Sequence, residues 1–277
     1  MESLINKLSR SHRDCPSCPS PKVIHSFFEN VLGLLFPDFA TESLKEPVQV
    51  AEKIEELKHK LSQILILNRH LHKGEGPEIA DAFFQKLETV YDLLQKDVQA
   101  LFEGDPAAKS ITEVIRCYPG FYAVAAYRIA NLLHRLGVGL IPRMITEFSH
   151  SKTGVDIHPA AKIGERFCID HGTGIVIGET TEIGNHVKIY QGVTLGALSV
   201  DKEDADKKRH PTIEDNVVIY AGATILGGET VIGRNSVIGG NVWITKSVPA
   251  NSKIYYQAKM YNPVSSETET YIIKNEG

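Results

Sequence analysis

No stretch of this chain approaches the roughly 20 consecutive apolar residues that a membrane-spanning helix needs. Met1 to Arg13 is polar and charged, without the apolar middle of a secretory signal, so the sequence reads as cytoplasmic. Cysteine is scarce. The four present, Cys15, Cys18, Cys117 and Cys168, are too few and too scattered for a disulfide framework. Cys15 and Cys18 form a C-x-x-C, but only His12 and His25 stand close enough in sequence to complete a zinc set. The surrounding prolines fit a mobile terminal extension, and no metal is expected. Basic residues do not gather into a stripe. With the signs interspersed and a formal net charge of −4, the chain lacks the cationic surface that neutralises phosphates, which excludes nucleic acid as a partner. The 277 residues are enough to bury one large core or two ordinary ones.

Two hydrophobic periods divide what is there. Up to about Ser149 the apolar residues recur at helical spacing. Ile54, Leu57, Leu61, Ile64 and Leu65 form one stripe after Pro47, and Phe83, Leu87, Val90, Leu94, Val98 and Leu101 form a second after the break from Gly74 to Pro77. The second stops at Gly104-Asp105-Pro106, and a third helix from about Phe121 to Leu136 ends at Gly137. From Val155 the period becomes six: Ile157, Ile163 and Ile169, then Ile177, Ile183, Ile189 and Leu195, then Ile213, Ile219 and Ile225, then Ile232, Ile238 and Ile244. A hexad is too short to bury its own apolar side, but short flat strands wound as a triangular coil stack one aliphatic residue per face on each rung. An ordinary sandwich would show turn signals at uneven spacing of about 8 to 12 residues. The reading is therefore α+β: an N-terminal extension (1–45), an α-helical domain (46–150), a left-handed parallel β-helix of hexapeptide repeats (151–250) with an excursion loop (197–211), and a C-terminal tail (251–277). The helical half is expected to cap the first rung.

Interruptions show where the repeat serves something besides stacking. One is the eight-residue step from Ile169 to Ile177, which contains Asp170-His171-Gly172-Thr173-Gly174; the other is the charged excursion ending at Arg209-His210-Pro211. Histidine suits the deprotonation of an alcohol near neutral pH, which makes His171 the leading general-base candidate. Asp156 lies fifteen residues earlier, a little under one coil turn, where it could hold the other ring nitrogen. The excursion could bring His210 to a rung of the same chain or of another subunit.

In order along the chain, Asp156-Ile157-His158-Pro159-Ala160-Ala161-Lys162-Ile163-Gly164, Asp170-His171-Gly172-Thr173-Gly174, Ile177-Gly178-Glu179-Thr180, Val193-Thr194-Leu195-Gly196 and Arg209-His210-Pro211 resemble the serine acetyltransferase family. So do the helical segments Asp97-Val98-Gln99-Ala100, Asp105-Pro106-Ala107, Gly120-Phe121 and Ala126-Tyr127-Arg128-Ile129. The resemblance implies transfer of an acetyl group from acetyl-CoA to L-serine by direct attack, the first step of cysteine biosynthesis. It assigns His171 as base with Asp156 as its partner. Asp105 and Asp170 would hold the substrate ammonium, and Arg209 its carboxylate. His210 would complete the pocket or stabilise the developing oxyanion, while His158 is read as structural. Acetyl-CoA would lie along the coil between chains of a homotrimer, or of a dimer of trimers, against Ala197, Ala221 and Gly240, where small residues allow close approach. The same clamp could hold cysteine as a competing inhibitor. Members that dock O-acetylserine sulfhydrylase do so through a terminal isoleucine; this chain ends in Gly277, which argues against that contact.

Three other readings fit parts of the pattern. A coil acetyltransferase acting on a sugar or xenobiotic hydroxyl would need no amino-acid clamp. A non-catalytic coil scaffold would need no base. A zinc hydratase would need histidines that recur as ligands along the coil, and these do not.

Overall fold

The computed structural model describes residues 1–14, 20–198, 207–261 and 268–273. Cys15, Cys18 and the middle of the charged excursion lie outside the described residues.

Among the described residues eight α-helices come first: α1 (Glu2–Asp14), α2 (Pro21–Leu35), α3 (Pro47–Leu67), α4 (Gly76–Gln85), α5 (Leu87–Gly104), α6 (Ile111–Cys117), α7 (Pro119–Arg135) and α8 (Ile141–Thr153). Proline stands in the first turn of α2, α3, α4, α7 and α8, where its missing N–H has no helical partner to lose. Ser110 caps α6 by accepting from the Glu113 amide at 3.1 Å. Three features depart from the spacing-based expectation. The single helix expected through Phe83 and Leu101 is broken at Lys86 into α4 and α5; the apolar stripe continues across the break and so conceals it. Residues 21–35, in the segment set apart as an extension, form α2, whose Ile24, Phe27, Phe28, Val31 and Leu32 lie in the same core as the later helices. Helix α8 leads directly into the coil and ends on Gly154 in the left-handed conformation (φ +70°).

The coil has three parallel faces. The first stacks β1 (Asp156–Ile157), β4 (Val176–Ile177), β7 (Thr194–Gly196), β10 (Thr224–Leu226) and β13 (Trp243–Ile244). The second stacks β2 (Lys162–Ile163), β5 (Glu182–Ile183), β8 (Thr212–Ile213) and β11 (Val231–Ile232). The third stacks β3 (Cys168–Ile169), β6 (Lys188–Ile189), β9 (Val218–Ile219), β12 (Val237–Ile238) and β14 (Lys253–Ile254). The hexad residues fall in register: Ile157, Ile177, Leu195, Ile225 and Ile244 form one inward column, and Ile163, Ile183, Ile213 and Ile232 another. Each fully buried aliphatic side chain contributes about 1.5–3 kcal/mol by leaving water, which offsets the ordering of strands only two or three residues long. Ile254, beyond the last hexad counted from sequence, extends the third column over Ile238. An antiparallel hairpin of β15 (Tyr256–Tyr261) and β16 (Thr268–Ile273) follows.

The helical unit covers the first rung through one buried ion pair. Asp97 of α5 and Arg128 of α7 meet at 2.9 Å and 3.1 Å, both inaccessible or nearly so. Arg128 also donates to the carbonyls of Ile163 (2.7 Å) and Gly164 (2.5 Å), and Asp97 accepts from the Phe167 amide at 2.9 Å. Two carbonyls and one amide of the turn from Ile163 to Phe167 are thereby used. The Tyr127 hydroxyl adds a bond to the Ala161 carbonyl at 2.6 Å. Removing one partner of a buried pair strands the other charge, so Arg128→Ala should lower unfolding free energy by about 3–5 kcal/mol in urea denaturation, and Asp97→Leu with Arg128→Met together should cost less than the single change.

Candidate active site

The sequence-predicted residues gather at two corners of the coil, one on each edge of the first face. The corner leading from the third face to the first carries Asp170 and His171. It is built from the eight-residue step, two residues longer than the corresponding step from Ile189 to Leu195. His171 sits in that extra length with φ +58°, a left-handed conformation that Arg166, His186 and four asparagines of the coil's turns also adopt. Its ring is 68% exposed, its Nε2 is 3.7 Å from Asp170 Oδ1, and it lies 6.5 Å from the Tyr190 ring. At 3.7 Å the two groups do not share a hydrogen bond, but the carboxylate is placed to stabilise an imidazolium.

The end of α5 meets this corner. Asp105 accepts from the Ala107 amide at 2.8 Å and from the Tyr118 hydroxyl at 2.5 Å. The Tyr118 bond, then the Ala107 amide, hold the Asp105 carboxyl below the usual carboxylate range, with Lys188 and His171 adding to the effect. The same bond pushes the Tyr118 phenol up to about 12. Asp105 is thus a fixed carboxylate near this corner, within electrostatic reach of Lys188 and His171.

Asp156 is placed differently from expectation. Its carboxylate lies 3.3 Å from Arg143 Nη1 of α8, and among the described residues it makes no contact with His171. Glu147 and His150 of α8 complete the same polar group, and Arg143 pairs with Glu147 as well.

The corner leading from the first face to the second carries the other half. Here the end of the excursion folds back on Thr180, whose Oγ1 accepts from the amides of Arg209 (2.9 Å) and His210 (3.0 Å). His210 Nδ1 accepts from the Thr180 amide at 3.1 Å and stands 2.9 Å from the Thr180 hydroxyl. A nitrogen that accepts an amide hydrogen carries none itself, so the hydrogen-bond pattern assigns the ring proton to Nε2. A Cβ on Gly178 would fall 2.0 Å from His210 Cδ2, which is why glycine stands there. Arg209 pairs with Glu179. His158 lies half-buried on the same corner, with its Nδ1 accepting from the Ala160 amide at 3.2 Å.

The two corners belong to opposite edges of one face, so this single chain does not bring His171 and His210 into one pocket. The small residues divide in the same way: Ala221 and Gly240 stack on the His171 corner, and Ala197 starts the excursion on the other. A Cβ at Gly240 would meet the Ala221 carbonyl oxygen at 3.0 Å, so the coil itself favours glycine there.

No family model matches the chain. Over 194 residues it is 56% identical to the plasmid serine acetyltransferase of Synechococcus elongatus, an alignment covering 68% of this chain and 59% of that protein. It superposes with a TM-score of 0.73 and 37% identity on the serine acetyltransferase isoform 3 of Entamoeba histolytica, solved in complex with cysteine, covering 83% of this chain and 80% of that one. This chain belongs to the serine acetyltransferase family. The serine acetyltransferase of Brucella abortus strain S19, solved in complex with coenzyme A, superposes with a TM-score of 0.59 at 27% identity over 94% of this chain and 84% of that one. The chain spans about three fifths of the length of the curated serine acetyltransferases it matches. Among the described residues no helix is long and apolar enough to cross a membrane.

Within this serine acetyltransferase family member, sequence reasoning missed Tyr118, Lys188 and the Glu179–Thr180 pair. Glu179 and Thr180 lie in the segment Ile177-Gly178-Glu179-Thr180, whose spacing gives them no role, and Lys188 precedes the hexad residue Ile189, a place the repeat leaves to any outward side chain. Burial, then the charge of Arg209, lower the His210 imidazole from its ordinary 6.5 to about 4. The neutral ring is favoured in the fold, so the unfolded chain takes up the proton first, and His210 withdraws stability as pH falls from about 6.5 towards about 4. In an NMR titration the His210 ring should remain neutral at pH 6 and reach its midpoint near 4; a midpoint near 6.5 would contradict the network drawn around Thr180.

Proposed function

We propose that this protein is a serine O-acetyltransferase that moves the acetyl group of acetyl-CoA to the hydroxyl of L-serine without an acyl-enzyme. The observation that carries the reading is the pairing of an exposed histidine, His171, with two fixed carboxylates, Asp105 and Asp170, on one corner, while a guanidinium and a neutral imidazole, Arg209 and His210, occupy another. An α-amino acid needs both halves: carboxylates for its ammonium and a planar donor for its carboxylate. A sugar needs neither, which disfavours the general O-acetyltransferase alternative.

His171 takes the proton of the serine hydroxyl as that oxygen attacks the thioester carbonyl, and returns it to the departing thiolate. Asp170, beside Nε2, stabilises the imidazolium that forms between these events. Neutral His210 presents Nε2–H as a donor to the oxyanion that develops on the carbonyl. Arg209 binds the serine carboxylate while Glu179 holds the guanidinium in place. Asp156, assigned by resemblance as the partner of His171, is paired here with Arg143, so its part in the reaction requires it to leave that contact. Coenzyme A supplies the leaving thiol, in keeping with the coenzyme-bound relative, and the small residues Ala221 and Gly240 would offer it a backbone surface.

A pocket divided between two edges of one face closes when a second copy sets its Arg209 corner against the His171 corner of the first, and a threefold ring repeats that contact three times. Cysteine, which fits the same ammonium and carboxylate clamp, would compete with serine; the cysteine-bound relative is consistent with this.

Thiol release from acetyl-CoA should be far faster with L-serine than with any of a panel of sugars, and His171→Ala should lower kcat by about 100-fold or more. Faster release with a sugar would replace serine as substrate, and an undiminished His171→Ala enzyme would remove the base. When inactive His171→Ala and His210→Ala chains are unfolded and refolded together, roughly a quarter of the shared sites should be intact and activity should return to that level. No recovery would place both histidines in one chain's site.

A further inference from the structure

Lys188 projects from β6 into the corner that holds Asp105, Asp170 and His171. Its Nζ lies 2.9 Å from Asp170 Oδ2 and 2.6 Å from the carbonyl oxygen of Gly104, the residue before Asp105. It also stands 4.5 Å from the centroid of the Tyr190 ring, which stacks on Tyr220 at 4.9 Å. A carboxylate, a carbonyl and an aromatic face are the three groups proteins use to recognise an ammonium ion. All three already converge on one, and it belongs to the protein. The side chain is only 18% exposed, and its hydrogen bonds to Tyr190 and Asp170 outweigh burial and keep it charged well beyond neutral pH.

We propose that Lys188 is a tethered competitor for the substrate's ammonium, an affinity-setting residue that weakens every ligand carrying an α-ammonium. The proposal rests on the reading of Asp105 and Asp170 as the ammonium pocket. Two carboxylates on one corner would attract a cation strongly, and with Lys188 bridging Asp170 and the Gly104 carbonyl the group Asp105, Asp170 and Lys188 carries a net charge of −1 rather than −2. An incoming serine must share Asp170 with Lys188 or displace it. The penalty is the same for the substrate, for the acetylated product, which keeps its ammonium, and for an inhibitory amino acid. Binding lost equally from ground state and transition state raises KM without altering the chemical step. The compensating gain is release: as the product's ammonium leaves, the lysine refills the place.

Asp105 does not depend on Lys188 for its position, since the Ala107 amide and the Tyr118 hydroxyl hold both of its oxygens. Removing the lysine therefore takes away a positive charge more than it takes away support. Steady-state kinetics on Lys188→Met and Lys188→Arg tests this, with serine binding by calorimetry alongside. Lys188→Met should lower the serine KM and dissociation constant about tenfold, the factor that about 1.4 kcal/mol of removed repulsion would produce, tighten cysteine and O-acetylserine to a similar degree, leave the acetyl-CoA KM in place and not raise kcat. Lys188→Arg keeps the charge and should return the serine KM towards that of the unaltered enzyme. An unchanged or raised serine KM in a folded Lys188→Met enzyme overturns the role of Lys188 and leaves the serine reading standing. An unaltered protein that neither binds nor acetylates serine overturns both.

Discussion

Everything at the site hangs from the contact between Asp97 and Arg128. A stacked coil leaves its first rung uncovered, with carbonyls and amides that a neighbouring rung would otherwise satisfy. Arg128 and Asp97 substitute for that missing rung, since between them they bond two carbonyls and one amide of the turn from Ile163 to Phe167. The same pair fixes α5 against the coil, because Asp97 stands on α5 about two turns before its end. The helix then runs on until Gly104 and Asp105 arrive beside β3 and β6. The Asp105 carboxylate is thus set in place by an ion pair whose acid, Asp97, stands eight residues upstream on the same helix. A buried pair is a poor source of net stability; here its value is geometric.

The coil was legible in the sequence because its rule is local. Each inward residue is fixed by its own place in a hexad, and thirteen such positions from Ile157 to Ile244 occupy the three expected faces. Helices α3 and α7 were legible for the same reason, through their spacing and their proline and glycine boundaries. Features that depend on distant partners were not. The break at Lys86 leaves the apolar stripe intact, and α2 looks like part of a terminal extension until its phenylalanines are seen packed on Phe83 and Tyr122. The same distinction runs through the site. His171 could be singled out because it interrupts a period, and His210 because it ends an excursion. The Asp156 contact with Arg143 could not, since it joins the coil to a helix that spacing had not revealed. Tyr118 and Lys188 carry no local mark at all.

Electrostatic division accompanies the geometric one. The corner with Asp105 and Asp170 is anionic overall, while the corner with Arg209 holds an imidazole that burial keeps neutral. A zwitterion placed between them is oriented by charge before any hydrogen bond forms. The neutral state of His210 and the exposure of His171 give two identical side chains different environments, which suits the donor and base roles proposed for them.

The extra two residues in the step from Ile169 to Ile177 have a consequence for how such a protein can change. The lengthened corner bulges outward, yet Ile177 still pairs with Ile157 and Leu195, so the insertion is absorbed within one turn and nothing propagates to the next rung. Loop length at a corner is therefore a variable that natural selection can alter freely, while the columns of isoleucine keep the chain folded. Chemistry in this architecture is written in the punctuation of the repeat and stability in its words, which lets new acceptor specificities arise without a search for a new fold.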